Sequence, residues 1–332
     1  MSVPELKKRV DVSVEGYVIA AYPVGENVLA ATGEGELFLL DGATGRTLER
    51  VRAHAGRANA AALSPAGAHV VTCGQDGRAR VFDARTLVPH ADLPSPSAWV
   101  EAATFSPKGD LVAIACGRRV RVFGVDGSPV VESEDHPSTV TALTFGRDGK
   151  RLLTAAYGGV CVFSLAERRT IRRFEWKGSL VSLAMSPDDK VVACGSQDGS
   201  VHFWRLSTGR DSAMTGYPFK PKSLAWDSAS SLLATGGDTK VTVWDFQGKG
   251  PEGTAPIQLD AHKGLVSSLA FAERRALLAS GGEETAVFLW EPRKSRAPSA
   301  FGLTDDVVTS LRFGKGSLVA GSAAGRVTLF EM

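Results

Sequence analysis

The chain has 332 residues, of which 43% are hydrophobic and 22% charged, and its formal net charge at pH 7 is only +2. A charge so close to zero predicts no nucleic-acid partner and no attraction to an anionic membrane surface. No apolar run approaches the roughly 20 residues that a transmembrane helix needs. The N-terminal MSVPELKKRV also lacks the apolar core of a signal peptide, so we expect a cytoplasmic protein.

Short apolar segments recur along the whole chain. After a lone strand signal at Glu5–Val12, the segments Tyr17–Tyr22, Val28–Ala31 and Glu36–Leu40 form a first group of three. Each is as long as a strand and too short for a stable helix. The third segment of each group ends successively at Leu40, Phe82, Phe123, Phe163, Trp204, Trp244, Trp290 and Phe330. Because these spacings lie between 40 and 46 residues, we predict eight repeats of one unit.

The repeat pattern is clearest in the stretch HKGLVSSLAFAERRALLASGGEETAVFLW, which runs from His262 to Trp290. This stretch resembles one repeat of the WD-repeat family, in which a His, a Ser or Thr, an Asp and a Trp form a structural hydrogen-bond network. His262, Ser280, Glu284 and Trp290 fall on those four positions, with Glu284 where Asp is usual. A period near 40 residues with three strand signals per unit is typical of a β-propeller.

The resemblance implies an all-β fold, a single closed β-propeller of eight four-stranded blades; seven blades with one degenerate repeat is the alternative. Length alone would suggest about two domains, but radial repeats grow as one body, so we expect one domain over residues 1–332. The last repeat ends directly after its third strand, and we expect the N-terminal segment to close the ring there, which removes an exposed sheet edge. The predicted blades are 15–53, 57–93, 98–134, 138–175, 179–216, 220–260, 264–302, and 306–332 with 4–12.

The other repeats fill the network positions unevenly. The resemblance assigns to the structural network, besides the four residues above, His54, Thr72, Asp76, Asp198, Trp204, Asp238 and Trp244. The histidine position holds Trp176 in the fifth repeat and Tyr217 in the sixth. The fourth repeat keeps His136, but Tyr157-Gly158-Gly159 stands where the acidic turn should be.

Catalytic and cofactor motifs are absent from the sequence, which contains no G-x-S-x-G, H-E-x-x-H or phosphate-binding loop. We therefore predict no catalytic residue, no cofactor and no metal site. Cys73, Cys116, Cys161 and Cys194 lie in strand signals of different repeats, which favours small buried hydrophobes over a disulfide or a metal site. A propeller can still carry an active site, so an enzyme or a small-ligand binder that uses the mouth of the central channel is the alternative function.

Aromatic residues interrupt the repeat pattern in four consecutive repeats. In this fold the loop before each first strand and the turn between the second and third strands open on one face. The residues predicted to bind a partner on that face are Trp99, Tyr157, Trp176, Tyr217, Phe219, Arg57 and Arg118. Because large aromatics and Arg carry much of the binding energy at interfaces, we predict a non-catalytic scaffold for a protein or peptide partner. The alternative is that Trp176 and Tyr217 cover the blade edge where a histidine would pack. The basic runs Arg168–Arg173 and Arg293–Arg296 are expected on solvated outer strands rather than in phosphate sites.

Overall fold

The computed structural model describes residues 3–96, 99–248 and 250–332, and every element assigned in those residues is a β-strand. The strands form eight antiparallel sheets, one for each predicted repeat. The fold is therefore an eight-bladed β-propeller, as predicted, and the seven-bladed alternative is wrong. The chain divides into two compact units, an N-terminal unit of Val24–Asp41 and Arg46–Leu183 and a C-terminal unit of Met1–Pro23, Gly42–Gly45 and Ala184–Met332. The prediction of one domain stays a prediction.

The first four blades follow the order of the chain. Their strands are β2 (Val18–Val24), β3 (Asn27–Thr32), β4 (Glu36–Leu40) and β5 (Thr47–Arg52); β6 (Ala58–Leu63), β7 (His69–Gly74), β8 (Arg78–Asp83) and β9 (Pro89–Pro94); β10 (Ala102–Phe105), β11 (Leu111–Cys116), β12 (Arg119–Gly124) and β13 (Pro129–Glu132); and β14 (Ala142–Phe145), β15 (Arg151–Ser164) and β16 (Arg169–Ser179).

The last four blades use the rest of the chain together with its N-terminal strand. Their strands are β17 (Ala184–Met185), β18 (Val191–Gly195), β19 (Val201–Arg205) and β20 (Asp211–Met214); β21 (Leu224–Trp226), β22 (Leu232–Thr235), β23 (Val241–Asp245) and β24 (Ile257–Leu259); β25 (Val266–Phe271), β26 (Leu278–Gly282), β27 (Glu284–Trp290) and β28 (Ala300–Leu303); and β29 (Val308–Gly314), β30 (Ser317–Ser322), β31 (Arg326–Glu331) and β1 (Lys8–Ser13).

The hydrophobic core lies between neighbouring blades. The second and third strands of a blade are buried almost throughout, as in β11, whereas the outermost strands, such as β5, alternate between exposed and half-buried residues. Between blades two and three, Val71 and Val81 pack in one cluster with Val112 and Ile114. A sheet covered on both faces needs apolar side chains on both, which explains why the middle strands read as continuous apolar runs.

Blade four has only three assigned strands because its second and third strands form one continuous segment, β15. Its N-terminal half pairs with β14 and its C-terminal half pairs with β16. The amide of Leu165 donates to the carbonyl of Lys150 at 3.0 Å, so the two ends of β15 lie side by side. The segment turns back at Gly158 and Gly159, whose φ angles are +93° and +122°, a region that favours glycine. Blade four is therefore also four-stranded.

The N-terminal strand completes the last blade, as predicted. β1 pairs antiparallel with β31, from Lys8 opposite Phe330 to Ser13 opposite Arg326. The strand begins at Lys8 rather than at the predicted Glu5, because the preceding residues run beside β28 and the amide of Phe301 donates to the carbonyl of Pro4 at 3.0 Å.

Asp11 fastens β1 to β31 through its side chain. Its carboxylate accepts from the Thr328 hydroxyl at 3.1 Å and from Arg326 Nε at 3.2 Å, while Lys8 Nζ lies 2.7 Å from its other oxygen. Partial burial alone would raise the pKa of Asp11, but the hydrogen bonds from Lys8 and Arg326 outweigh it and hold this pKa below its usual value. The carboxylate therefore stays ionised at neutral pH.

The four-residue network is complete in blade seven. Trp290 Nε1 donates to Ser280 Oγ at 2.7 Å, and His262 Nε2 lies 2.6 Å from the same oxygen. His262 Nδ1 contacts Glu284, whose other oxygen accepts from the amide of Lys263 at 3.1 Å. Because Ser280 has one proton and receives the indole N–H, we infer that it donates to Nε2 and that Nδ1–H points at Glu284. Burial lowers the pKa of His262 although Glu284 opposes this.

Blade two carries the same network without the indole. His54 Nε2 lies 2.9 Å from Thr72 Oγ1, and Nδ1 lies 3.0 Å from the carboxylate of Asp76. Phe82 occupies the Trp position, and its buried ring has no N–H to donate. Burial lowers the pKa of His54, and the hydrogen bond to Asp76 opposes that shift. The His, Thr and Asp thus meet as the resemblance implies.

In blades five and six, the carboxylate at the acidic position makes no hydrogen bond to the residue at the histidine position among the described residues. Asp198 accepts from the Ser200 amide at 3.1 Å and from the Ser200 hydroxyl at 2.6 Å, so its hydrogen bonds stay in its own turn. Asp238 accepts from the Thr239 amide at 2.6 Å. The Trp204 ring is buried and stacks at a tilt on His202, with ring centroids 4.4 Å apart.

Removal of residues 1–14 tests the closure of the last blade. In a chain that starts at Glu15, β31 loses its hydrogen-bonded neighbour and becomes an exposed edge. We expect aggregation or a sharp fall in the melting temperature, measured by differential scanning calorimetry. A matched chain that lacks only residues 1–3 keeps β1 and should melt like the full chain. Equal melting of all three chains would contradict this account of the last blade.

The two histidines His262 and His136 should contribute unequally to stability. His262→Ala leaves a largely buried carboxylate at Glu284 without its partner and should lower the free energy of unfolding by about 1–3 kcal/mol. His136 Nε2 bonds Thr154 Oγ1 at 2.8 Å, but its Nδ1 partner is only the carbonyl of Arg118 at 3.0 Å. His136→Ala leaves no carboxylate without a partner. It should therefore lower the free energy of unfolding by less than His262→Ala does, as measured by urea titration. Equal losses at the two positions would show that the carboxylate is not what makes blade seven depend on its histidine.

Candidate protein-interaction site

The tight hairpin of blade four reshapes the surface beside it. The turn contains no acidic residue, and β16 continues past it, with Gly158 opposite Trp176 and Tyr157 opposite Ser179. A Cβ on Gly159 would lie 1.9 Å from the carbonyl oxygen of Phe174, so only glycine permits this approach of the outer strand. The two glycines therefore bring the aromatic residues of β15 and β16 to one place.

Residues of this hairpin and of β16 line a groove of about 520 Å³. Tyr157 and Trp176 line it together with Pro137; the Tyr157 side chain is 56% exposed, whereas Trp176 is half-buried. The charged residues along the groove are Arg173, Glu175 and Lys177. Its volume is within the range of ligand pockets, about 300–1,000 Å³, so the groove can accept one or two large side chains of a partner.

The titratable groups next to the groove do not form a catalytic pair. Burial lowers the pKa of His136, and the nearby charge of Arg173 lowers it further, whereas the hydrogen bond to the Arg118 carbonyl raises it. Because the net shift is downward, the ring is neutral at pH 7. Burial likewise raises the pKa of Cys161, which lines the groove and therefore carries a thiol rather than a thiolate. The arrangement suits the packing of apolar groups rather than nucleophilic chemistry.

The other predicted binding residues of the N-terminal unit lie outside this groove. Trp99 is 52% exposed and Arg57 is also exposed, but neither lines the groove. Arg118 donates from Nε to the carbonyl oxygen of His136 at 2.7 Å, which fixes its side chain against the loop before β14. Of these five residues, Tyr157 and Trp176 are the two that line the groove among the described residues.

Tyr217, in the C-terminal unit, takes the structural place of a histidine. Its hydroxyl lies 2.7 Å from Thr235 Oγ1 and accepts from Trp244 Nε1 at 2.8 Å. Burial raises the pKa of Tyr217, although these two hydrogen bonds oppose the shift. The phenol thus replaces imidazole in the network of blade six, which favours the packing alternative for this residue. Phe219, two residues on, is 56% exposed.

The basic runs lie where solvated outer residues were expected. Arg169 pairs with Glu167, Arg172 lies over the Phe174 ring at 4.7 Å, and Arg173 has Glu134 at 3.9 Å. In the second run, Arg293 pairs with Asp245 at 2.8 Å. Pairs as exposed as these contribute little to stability, and their cations are partly neutralised by carboxylates.

In the part of the chain that the structure describes, no group of three or more His, Cys, Asp or Glu side chains could hold a metal ion, and no helix is long and apolar enough to cross a membrane. All four cysteines are free and buried. Burial raises the pKa of Cys116 to about 11, so this thiol is protonated at neutral pH.

The sequence alone pointed to Tyr157 and Trp176 but did not place them in one groove with Pro137. The sequence signal for this geometry is the pair Gly158-Gly159, which marks more than the loss of an acid. Two adjacent glycines between apolar segments also indicate a tight hairpin. Trp176 lies 19 residues beyond Tyr157, and its position depends on the length of the outer strand.

A family model described as "WD domain, G-beta repeat" matches four parts of the chain, residues 45–83, 169–205, 214–245 and 253–291. Among similar proteins, the U3 small nucleolar RNA-associated protein 15 homolog of Xenopus tropicalis is 33% identical over 129 residues, which are 37% of this chain and 24% of that protein. The guanine nucleotide-binding protein subunit beta of Saccharomyces cerevisiae is 23% identical over 223 residues, 61% of this chain and 51% of that protein. The match thus covers about a quarter of the first relative and half of the second.

These relatives correct one prediction made from the sequence and bear on a second. The predicted cytoplasmic location is wrong, because several similar proteins are named for association with a small nucleolar RNA, which points to a nucleolar or nuclear location. The same names associate those proteins with an RNA, so the low net charge of this chain is not a sufficient ground to exclude a nucleic-acid partner. Neither location nor membership of an RNA-containing assembly depends on the net charge of one chain.

A solved structure agrees with the whole described fold. The computationally designed Ika8 protein superposes with a TM-score of 0.86 and 20% sequence identity, covering 98% of this chain and 99% of that one. At that identity the likeness concerns the fold alone. The four matched repeats and the eight four-stranded blades support a WD-repeat protein with the β-propeller fold.

Proposed function

We propose that the protein is a non-catalytic scaffold that binds a protein partner through the groove of blade four. The observation that carries this proposal is that the exposed Tyr157 and the half-buried Trp176 line one groove in the blade whose network lacks its acid. Rings of this kind combine a large apolar area with few rotatable bonds and are frequent anchors at interfaces. Trp99, Arg57 and Arg118, which are exposed in the same unit, are proposed as additional contacts. Phe219, exposed in the C-terminal unit, is proposed as a separate contact.

The groove suggests the chemistry of its partner. Tyr157, Trp176 and Pro137 offer an apolar surface, and the exposed Lys177 side chain has no ion pair or hydrogen bond among the described residues. We propose an extended peptide segment that places an apolar side chain between the two rings and a carboxylate near Lys177. Relatives named as a "subunit" or as an "associated protein" support a place in a larger assembly.

Truncation of the two aromatic residues tests the groove. Tyr157→Ala and Trp176→Ala should each weaken partner binding by about thirtyfold or more, which corresponds to about 2 kcal/mol for an anchor residue. The matched control is Val88→Ala, which removes an exposed apolar side chain outside the groove and should not change affinity. The measurement is the affinity of a partner recovered by pull-down with ribonuclease present, read beside a thermal melt of each variant.

Three outcomes would contradict the proposal. In the first, Tyr157→Ala folds and binds as tightly as the unchanged protein; because this ring is largely exposed, its removal should not unfold the chain. In the second, Val88→Ala weakens binding as much as the groove variants. In the third, ribonuclease releases every partner, so that the interaction runs through RNA rather than through the groove.

A further inference from the structure

The C-terminal unit contains a small polar recess of about 230 Å³, formed where the first strands of its blades begin. The side chains that line it belong to β2, β25 and β29 and to the residues at the start of β21. Its charged side chains are Lys222 and Arg312, and its serines are Ser223, Ser267, Ser268 and Ser310. None of the described residues that line the recess carries a carboxylate.

The two cations of the recess have no acidic partner among the described residues. Lys222 is exposed and makes no side-chain hydrogen bond or ion pair within the described ranges. Arg312 donates from Nη1 to the carbonyl of Leu311 at 2.7 Å and lies over the Tyr22 ring at 5.6 Å. By contrast, Arg326 of the same unit is bound to carboxylates. The recess therefore has two positive charges that no described group of this chain neutralises.

Lys222 also breaks a structural pattern in the repeats. Ser267, five residues after His262, donates to the Val308 carbonyl of the next blade at 3.1 Å. Thr309, at the same position of the last repeat, donates to the Val18 carbonyl at 2.6 Å. Lys222 takes this position in the sixth repeat and makes no such bond in the described structure. Among the described residues, the sixth repeat therefore lacks this hydrogen bond between blades and has the unpaired ammonium group of Lys222 instead.

Three hydroxyl groups add donors to these cations. Ser310 Oγ accepts from the Ala21 amide at 3.1 Å, which leaves its O–H free to donate. The hydroxyls of Ser223 and Ser268 have no hydrogen-bond partner in the described part of the chain. Two cations with several O–H donors and no carboxylate form a donor set suited to an oxyanion.

We propose that this recess binds a phosphate group. Its volume is smaller than the roughly 300–1,000 Å³ of pockets for drug-sized ligands, so the ligand is inorganic phosphate or a small phosphate monoester. Lys222 and Arg312 supply the charge, and the serine hydroxyls orient the oxygens. This site is independent of the groove on blade four, since all its residues belong to the C-terminal unit.

Calorimetric titration at low ionic strength tests the proposal, with inorganic phosphate and glycerol phosphate as probes and chloride as the background anion. We expect saturable binding, weakened about tenfold or more by Lys222→Met or by Arg312→Met, because each variant loses a charge-assisted hydrogen bond to the anion. The matched control is Lys315→Met, which removes the same charge from the loop that follows β29. This variant should bind both probes normally. Of the two probes, the one that binds more tightly identifies the free ion or the ester as the ligand.

The absence of saturable binding at millimolar probe would overturn the proposal. So would equal weakening by Lys315→Met, because the effect would then reflect net charge alone. A third contrary result is Lys222-dependent binding of a single-stranded oligoribonucleotide with no binding of either small probe. In that case the cations would serve the backbone of a polymer. Circular dichroism melts of the variants distinguish lost binding from lost folding.

Discussion

A single blade of this protein cannot bury its own two apolar faces, and the rest of the structure depends on that constraint. The middle strands are buried on both sides, so each sheet needs a neighbour against each face. The last repeat in sequence contains only three strands, and β1 supplies the fourth by pairing with β31. Hydrogen bonds to Asp11 from Thr328 and Arg326 fasten this contact between the two ends of the chain.

The buried hydrogen-bond networks decide which surfaces remain available for binding. In blade seven, His262, Ser280, Glu284 and Trp290 satisfy one another, and the loop before the first strand is held against the turn. In blade four a backbone carbonyl replaces the acid, and the two-glycine turn leaves Tyr157 exposed beside the outer strand. In blade four, the loss of the acid and the two-glycine turn thus coincide with a groove.

The fold could be predicted from the sequence because the same group of strand-length apolar segments recurs along the chain. Eight strand groups at one spacing outweigh the weak match of any single repeat, and the missing last strand pointed to the N-terminus. The positions of single side chains were less predictable. Tyr217 has the residue type of a binding anchor, but its hydroxyl completes a network with Trp244, and only the geometry of blade six shows this. The recess could not be predicted either, since Lys222 and Arg312 lie 90 residues apart in sequence.

The central claim is that the incomplete network of blade four creates the partner-binding groove, and amide hydrogen exchange with and without the recovered partner tests it most directly. Exchange reports the opening of individual backbone segments, so it locates the binding site without any substitution. We expect slower exchange in residues 157–161 and 173–177 when the partner binds, with the segment around Val88 changing less. Protection elsewhere on the chain, with unchanged exchange in both groove segments, would contradict it.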